Sequence, residues 1–231
     1  ESPVIQPEIR AAANAALAGA GAPQTLKSMS EFLNDSKGSA RTVFLDHLLE
    51  MEGPTVLLAL AEAPKYYGET QQIERIADRL GRMGGRGAAE VLSALMRQRQ
   101  SAYPDAVRQF GAEGMEVLAD PLGGLLGNPN AGREAAMLLA ESNTSSAAGV
   151  LRDSAAQSPE AVVGLAVMGR ETTLKAAAEN AGNLSEAHVT AICERWGGGG
   201  EGHEWNGRIR REAAIDFLLA ALRKAADPAA R

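Results

Sequence analysis

The chain has 231 residues, a formal net charge of −6 and 45% hydrophobic side chains, of which only 4% of the chain is aromatic. The apolar content is ample for a core, and the acidic balance argues against a general polyanion or nucleic-acid binder. A single cysteine, Cys193, excludes an internal disulfide and a cysteine-rich zinc site.

The first expected helix covers 3–18, with Ile5, Ile9, Ala12, Ala13 and Ala16 on one side, and ends at the run Gly19-Ala-Gly-Ala-Pro23. A second helix is expected over about 24–34, with Leu26, Met29 and Leu33 inward. Helix 40–51 follows the turn 34–38 and carries an apolar stripe of Val43, Phe44, Leu48 and Met51. His47 in this helix reads as a core-edge histidine. Gly53-Pro54 opens the next helix, because proline is tolerated in a first turn, and Pro64 closes it. Helices over 70–82 and 86–99 are separated by Gly84-Gly85. Pro104 starts a short helix to Phe110, and another runs from about 112 to a break at Asp120-Pro121.

The centre of the chain is Gly127-Asn-Pro-Asn-Ala-Gly-Arg133, turn chemistry followed at once by the apolar spacing of Ala135, Leu138 and Leu139. Asn130 is the expected N-cap, and Glu134 suits the positive helix start. Helices follow over 146–156, 159–168 (capped by Ser158), 170–180 and 186–196 (capped by Ser185, with His188 at its third position). The last helix spans about 208–225. No run alternates β-formers with polar residues, so the chain reads as all-α. No internal linker requires a division, so residues 1–231 read as a single helical domain. No apolar run reaches the length of a membrane span. A cytoplasmic protein is the first expectation. An exported mature chain is the other, because the sequence begins at Glu1 without a methionine, as expected after removal of a signal peptide, a tag or another domain.

Arg41, Arg86, Arg133, Arg170 and Arg211 each precede an apolar helical run, at intervals of roughly 40 residues, the period of solenoids built from two or three helices. Turn, arginine, then Ala-Ala-x-x-Leu at 128–140 and again at 206–220 resembles the second-helix signature of HEAT repeats. Three short helices between several of these arginines resemble armadillo repeats. The Asp-Pro that HEAT turns often carry is missing from most copies. The resemblance implies an α-solenoid of stacked antiparallel helices, with the five arginines near equivalent helix starts. It also implies a scaffold or structural subunit that binds another protein, within a larger assembly.

Two segments are candidates for partner contact. Trp196, Trp205, His203 and Glu204 lie in or beside the glycine-rich run 197–207. Trp205 beyond the glycines is the expected anchor, since tryptophan is frequent among interface hot spots. Trp196 is the expected core member. The second segment is Arg75, Arg79 and Arg82, at i, i+4 and i+7 of one helix, followed by a glycine turn and Arg86. Such a face holds an acidic group, or is a solvated face with local ion pairs.

No catalytic, cofactor or metal residue is expected. His203-Glu204 opens like a zinc-protease helix, but Gly207 stands where the second histidine belongs. HEAT-type hydroxylases with two irons use several His-Glu pairs, and this chain has one. Cys193 and His188 are about 140° apart on one helix, the wrong geometry for a nucleophile and its base. No Gly-Lys-Ser/Thr phosphate loop occurs. The alternative function is a HEAT-like enzyme or nucleic-acid repair domain with a charged concave face. Low aromatic content and the acidic balance count against it.

Overall fold

The computed structural model describes residues 16, 23–36, 38–52, 54–197 and 211–226. All regular structure among them is helical. Among them, too, no helix is long and apolar enough to cross a membrane. The chain divides into two compact units, residues 1–95 and 96–231.

In the first unit, α1 (Pro23–Asp35), α2 (Ser39–Glu50), α3 (Pro54–Glu62) and α4 (Thr70–Met83) precede α5 (Gly85–Arg99), whose last residues belong to the second unit. Met29, Phe32 and Leu33 of α1 and Phe44, Leu45 and Leu48 of α2 are buried, and the Phe32 and Phe44 rings lie 5.7 Å apart. Val43 and Met51 of the expected stripe are half-exposed, and His47 is exposed rather than at a core edge. Leu45 takes the inward place, because Phe44 and Leu45 are adjacent to the buried Leu48 on the same arc of the helix.

Polar tethers close this unit. The Arg41 guanidinium donates to the Leu33 carbonyl through Nε (3.0 Å) and Nη2 (2.6 Å), and to the Tyr66 carbonyl through Nη1 (3.0 Å). It thereby satisfies a carbonyl in the last turn of α1 that the helix itself cannot reach. The Tyr67 hydroxyl returns a 2.8 Å bond to the Arg41 carbonyl. Burial pushes the Tyr67 phenol well above its ordinary pKa, since the ionised form would lose its water. Gly84 (φ 63°) and Gly85 (φ 72°) then join α4 to α5 in a left-handed turn that a side chain would strain.

The second unit contains α6 (Pro104–Val107), α7 (Ala112–Leu125), α8 (Gly132–Ser142), α9 (Ser145–Ser154), α10 (Pro159–Met168), α11 (Glu171–Glu179), α12 (Glu186–Gly197) and α13 (Arg211–Ala226). In this unit the extensive packing among the described residues joins helices one or two apart in chain order. The expected break at Asp120-Pro121 does not occur: α7 continues through Pro121 to Leu125. Proline removes one helix hydrogen bond. Burial of Leu118, Pro121, Leu122 and Leu125 along one face carries the helix past that loss. Gly123 permits close approach rather than loosening the helix, because a methyl there would overlap Val150 of α9. Gly164 plays the same part in α10, where an added Cβ would stand 2.8 Å from Leu151 and 3.1 Å from the Ala136 carbonyl.

The start of α8 also differs from expectation: its N-cap is Ala131, with no side-chain cap bond, and not Asn130. The Asn128 side chain instead closes the turn before the helix, accepting from the Asn130 N–H (2.9 Å) and that of Ala131 (3.3 Å). Proline at 129 holds the chain in the turn that an Asn128 side chain closes on its own backbone. Ser158 caps α10 by accepting from the Ala161 N–H (3.3 Å), and its hydroxyl donates to the Leu126 carbonyl (3.1 Å) just beyond α7. Leu138 and Leu139 are buried as their spacing predicts; Leu92, Leu95 and Phe217 are buried as well, and Leu218 is half-exposed. Trp196 is buried in the core. Its indole N–H donates to the Ala166 carbonyl (3.1 Å), and its ring meets Phe217 edge-on at 5.7 Å.

Candidate functional site

The arginine helix α4 buries Ile73, Ile76, Ala77 and Leu80, which leaves Arg75, Arg79 and Arg82 along its flank. They do not form one solvated face. Arg75 donates to Asp46 of α2 at 2.6 Å. Arg79 donates through Nη2 to the Met51 carbonyl, just past the end of α2. Both therefore fasten α4 to α2. Arg82 is exposed, and its Nε makes a 3.5 Å contact with the Asp78 carbonyl one turn earlier.

Arg79 and Arg82 line an open cleft of about 410 Å³, together with Glu52, Leu57, Met83 and Gly87. The Arg79 Nε–H is buried and has no acceptor. The cleft thus joins a fixed cation, a free one, a carboxylate and apolar walls. Arg86 lies outside the cleft lining and pairs with Glu90 of its own helix at 3.1 Å.

Each of the five recurrent arginines falls at the beginning of a helix: Arg41 in α2, Arg86 in α5, Arg133 in α8, Arg211 in α13, and Arg170 immediately before α11. Their bonds are not equivalent. Arg41 and Arg170 donate to carbonyls at or just past the end of an earlier helix, Arg170 to that of Asn143. Arg86 instead keeps to its own helix.

In the second unit, sequence reading missed a charge cluster made from α8 and α12 and the turn after α6. Arg108 meets Glu134 (2.8 Å) and Glu141 (3.1 Å), and Arg195 meets Glu141 (2.7 Å). The Glu141 hydrogen bond chiefly raises the Arg108 pKa above its ordinary value. Glu134 and Glu141 are seven apart and so share a helix face, the one available signal, but Arg195 lies far off in sequence.

Compared with protein families, curated proteins and solved structures, the chain gives no match. The site must therefore be read from its own residues. Trp205, His203 and Glu204 lie outside the described residues. Among the described residues, no group of three His, Cys, Asp or Glu side chains is placed to hold a metal ion. Cys193 is exposed and His188 is turned elsewhere. Its Nδ1 accepts from the Ser185 N–H (3.1 Å) and lies 2.8 Å from the Ser185 hydroxyl, while Nε2 is 3.2 Å from Glu160. This is a helix cap in which histidine takes the place of the usual acidic or amide residue at the third position.

Proposed function

We propose that this chain is a non-enzymatic helical-repeat scaffold of the HEAT or armadillo kind, which binds another protein. The observation that carries the reading is the repeated neighbour-to-neighbour packing of the second unit, where extensive contacts among the described residues join helices no more than two apart. Chains built from stacked repeats have this property, because each repeat touches only its neighbours. The element order adds support. Three α-helices, α2–α4, α5–α7 and α8–α10, begin with or contain each of the first three recurrent arginines in turn. The arginine bonds at helix ends are the kind of linkage that fixes one helix against another.

The contact point is the Arg82 cleft, and the partner presents an acidic side chain beside an apolar one. Arg82 supplies the free cation, while Leu57 and Met83 supply apolar wall. Arg75 and Arg79 position the helix that carries Arg82. Trp205 is the second proposed contact, on its sequence alone. Affinity capture from native extract, followed by mass spectrometry, tests the reading. Capture should recover a protein whose retention falls with added salt, since exposed charges are screened over about 8 Å at physiological ionic strength. Retention should fall further with Arg82→Glu or Trp205→Ala, while the helical signal is unchanged. A captured protein retained equally by both variants contradicts these contacts, and the absence of any specific partner contradicts the scaffold reading.

A further inference from the structure

Helix α13 has two apolar faces. Ala214, Phe217 and Ala221 form the buried one. Ile215, Leu219 and Leu222 form the other, and they are 51%, 43% and 61% exposed. Their spacing of four and then three residues makes a continuous stripe along one side of the helix, the spacing by which helices pack on one another. Three of the four large hydrophobic side chains that are exposed among the described residues lie in this single stripe. Scattered exposed leucines need no explanation, but a contiguous row marks an interaction surface.

The charges beside the stripe indicate what covers it. Glu212 and Asp216 are exposed in the first half of the helix, and Arg223 is exposed in the second. Asp216 and Arg223 are seven residues apart, so they lie on the same flank of the stripe. A second α13 laid parallel would put its Asp216 and Arg223 on the opposite side of the seam, away from those of the first copy. Laid antiparallel, it sets Asp216 of each copy near Arg223 of the other, on both sides of a two-fold axis. The pattern is therefore self-complementary in one orientation only. We propose that this face is an isologous interface, on which a second copy of the chain docks its own α13 antiparallel through Ile215, Leu219 and Leu222. The helix has 16 residues and so is roughly 24 Å long. One helix pair of that length buries less than the ~800 Å² per partner of a stable interface. The dimer is thus reversible and forms with rising concentration. This proposal is independent of the Arg82 cleft.

Sedimentation equilibrium of the full chain over a concentration series tests it, with circular dichroism to confirm that each variant is folded. The unaltered chain should show a monomer–dimer equilibrium. Asp216→Arg and Arg223→Glu should each weaken it by about tenfold or more, because each sets like charges together twice in the dimer. An equimolar mixture of the two single variants, and the double variant D216R/R223E alone, should both recover association. Arg82→Glu should leave it unchanged. A chain that remains monomeric at every concentration overturns the proposal, and so do single variants that associate as the unaltered chain does, or a mixture that fails to recover. Thiol labelling of Leu219→Cys in a Cys193→Ser background separates the remaining occupants of the face. In a monomeric chain, a shielded thiol assigns the stripe to the chain's own residues and a reactive thiol shows it uncovered, and either result overturns the second-copy proposal.

Discussion

In the first unit long polar side chains reach the ends of neighbouring helices, and in the second, where Arg170 does the same, helices also meet at glycines that leave no side chain between them. In the first, Arg41 and Arg79 span to carbonyls at or just past the ends of α1 and α2. In the second, Gly123, Gly132 and Gly164 allow close contact of whole helices. The difference shows two answers to one problem. A helix end leaves carbonyls without partners, and these are satisfied either by a reaching donor or by a tight turn, in which the Asn128 N–H donates to the Leu125 carbonyl and the Ser158 hydroxyl to that of Leu126. An alanine-rich chain with few aromatics can use both.

The comparison breaks most readily at Gly132. A Cβ there would stand 2.5 Å from the Leu126 carbonyl oxygen, a backbone atom that cannot swing aside. Gly132→Ala should therefore cost about 3 kcal/mol, the upper part of the usual range for overpacking. Gly149→Ala is the control: it lies inside α9 with open space around it, and it should stabilise by about 0.5–1 kcal/mol through helix propensity. Denaturant melts of the pair measure both. Equal effects of the two changes would remove close approach as the second unit's device.

Arg79→Met tests the other device. It keeps most of the aliphatic stem and removes the donor to the Met51 carbonyl, so the expected loss is about 2 kcal/mol, as for hydrogen bonds made by charged groups. Arg82→Met, one turn away and exposed, should change stability by no more than about 0.5 kcal/mol. If the two variants melt alike, Arg79 is only a surface cation.

Tyr67→Phe sharpens the account with a smaller effect, about 1 kcal/mol for one lost hydrogen bond. Its pH dependence is more telling. The folded-state pKa of Tyr67 is raised, so the unfolded chain loses this proton first as pH rises. Stability from this group is complete below the unfolded tyrosine value of about 10 and declines above it. The alkaline decline should be shallower in Tyr67→Phe than in the unaltered chain, by melts across pH 9–11 (roughly one pH unit either side of that value). Identical slopes would mean that Tyr67 is solvated in the folded state.

Much of the helical pattern was legible in sequence, because it rests on local spacing. Phe44 and Leu138 are buried where the three-to-four-residue rhythm placed them. Trp196 was separable as core because it follows Ile192 by about one turn. Proline was the weaker guide. Pro121 read as a breaker, yet it lies inside α7, since the price of a local rule broken is set by tertiary packing that a single sequence does not display. The arginines show the same limit. Spacing put Arg75, Arg79 and Arg82 on one helix flank, but only the placement of α2 reveals that two of them are tethers and one remains free. The Arg108–Glu141–Arg195 cluster joins residues with no shared period, so no sequence rule finds it.

Neighbour-limited packing is the central claim, and it is tested most directly by hydrogen exchange with mass spectrometry on Phe217→Ala. Phe217 is fully buried in α13, against Trp196 of α12. Helix α13 packs extensively on α11, and extensive contact with α7 or α8 is absent among the described residues. The account predicts faster exchange in α11, α12 and α13, with protection retained in α7 and α8, as expected when stability is held in local units. Equal loss of protection in α7 and α8 would show one cooperative core in the second unit and would contradict the repeat reading.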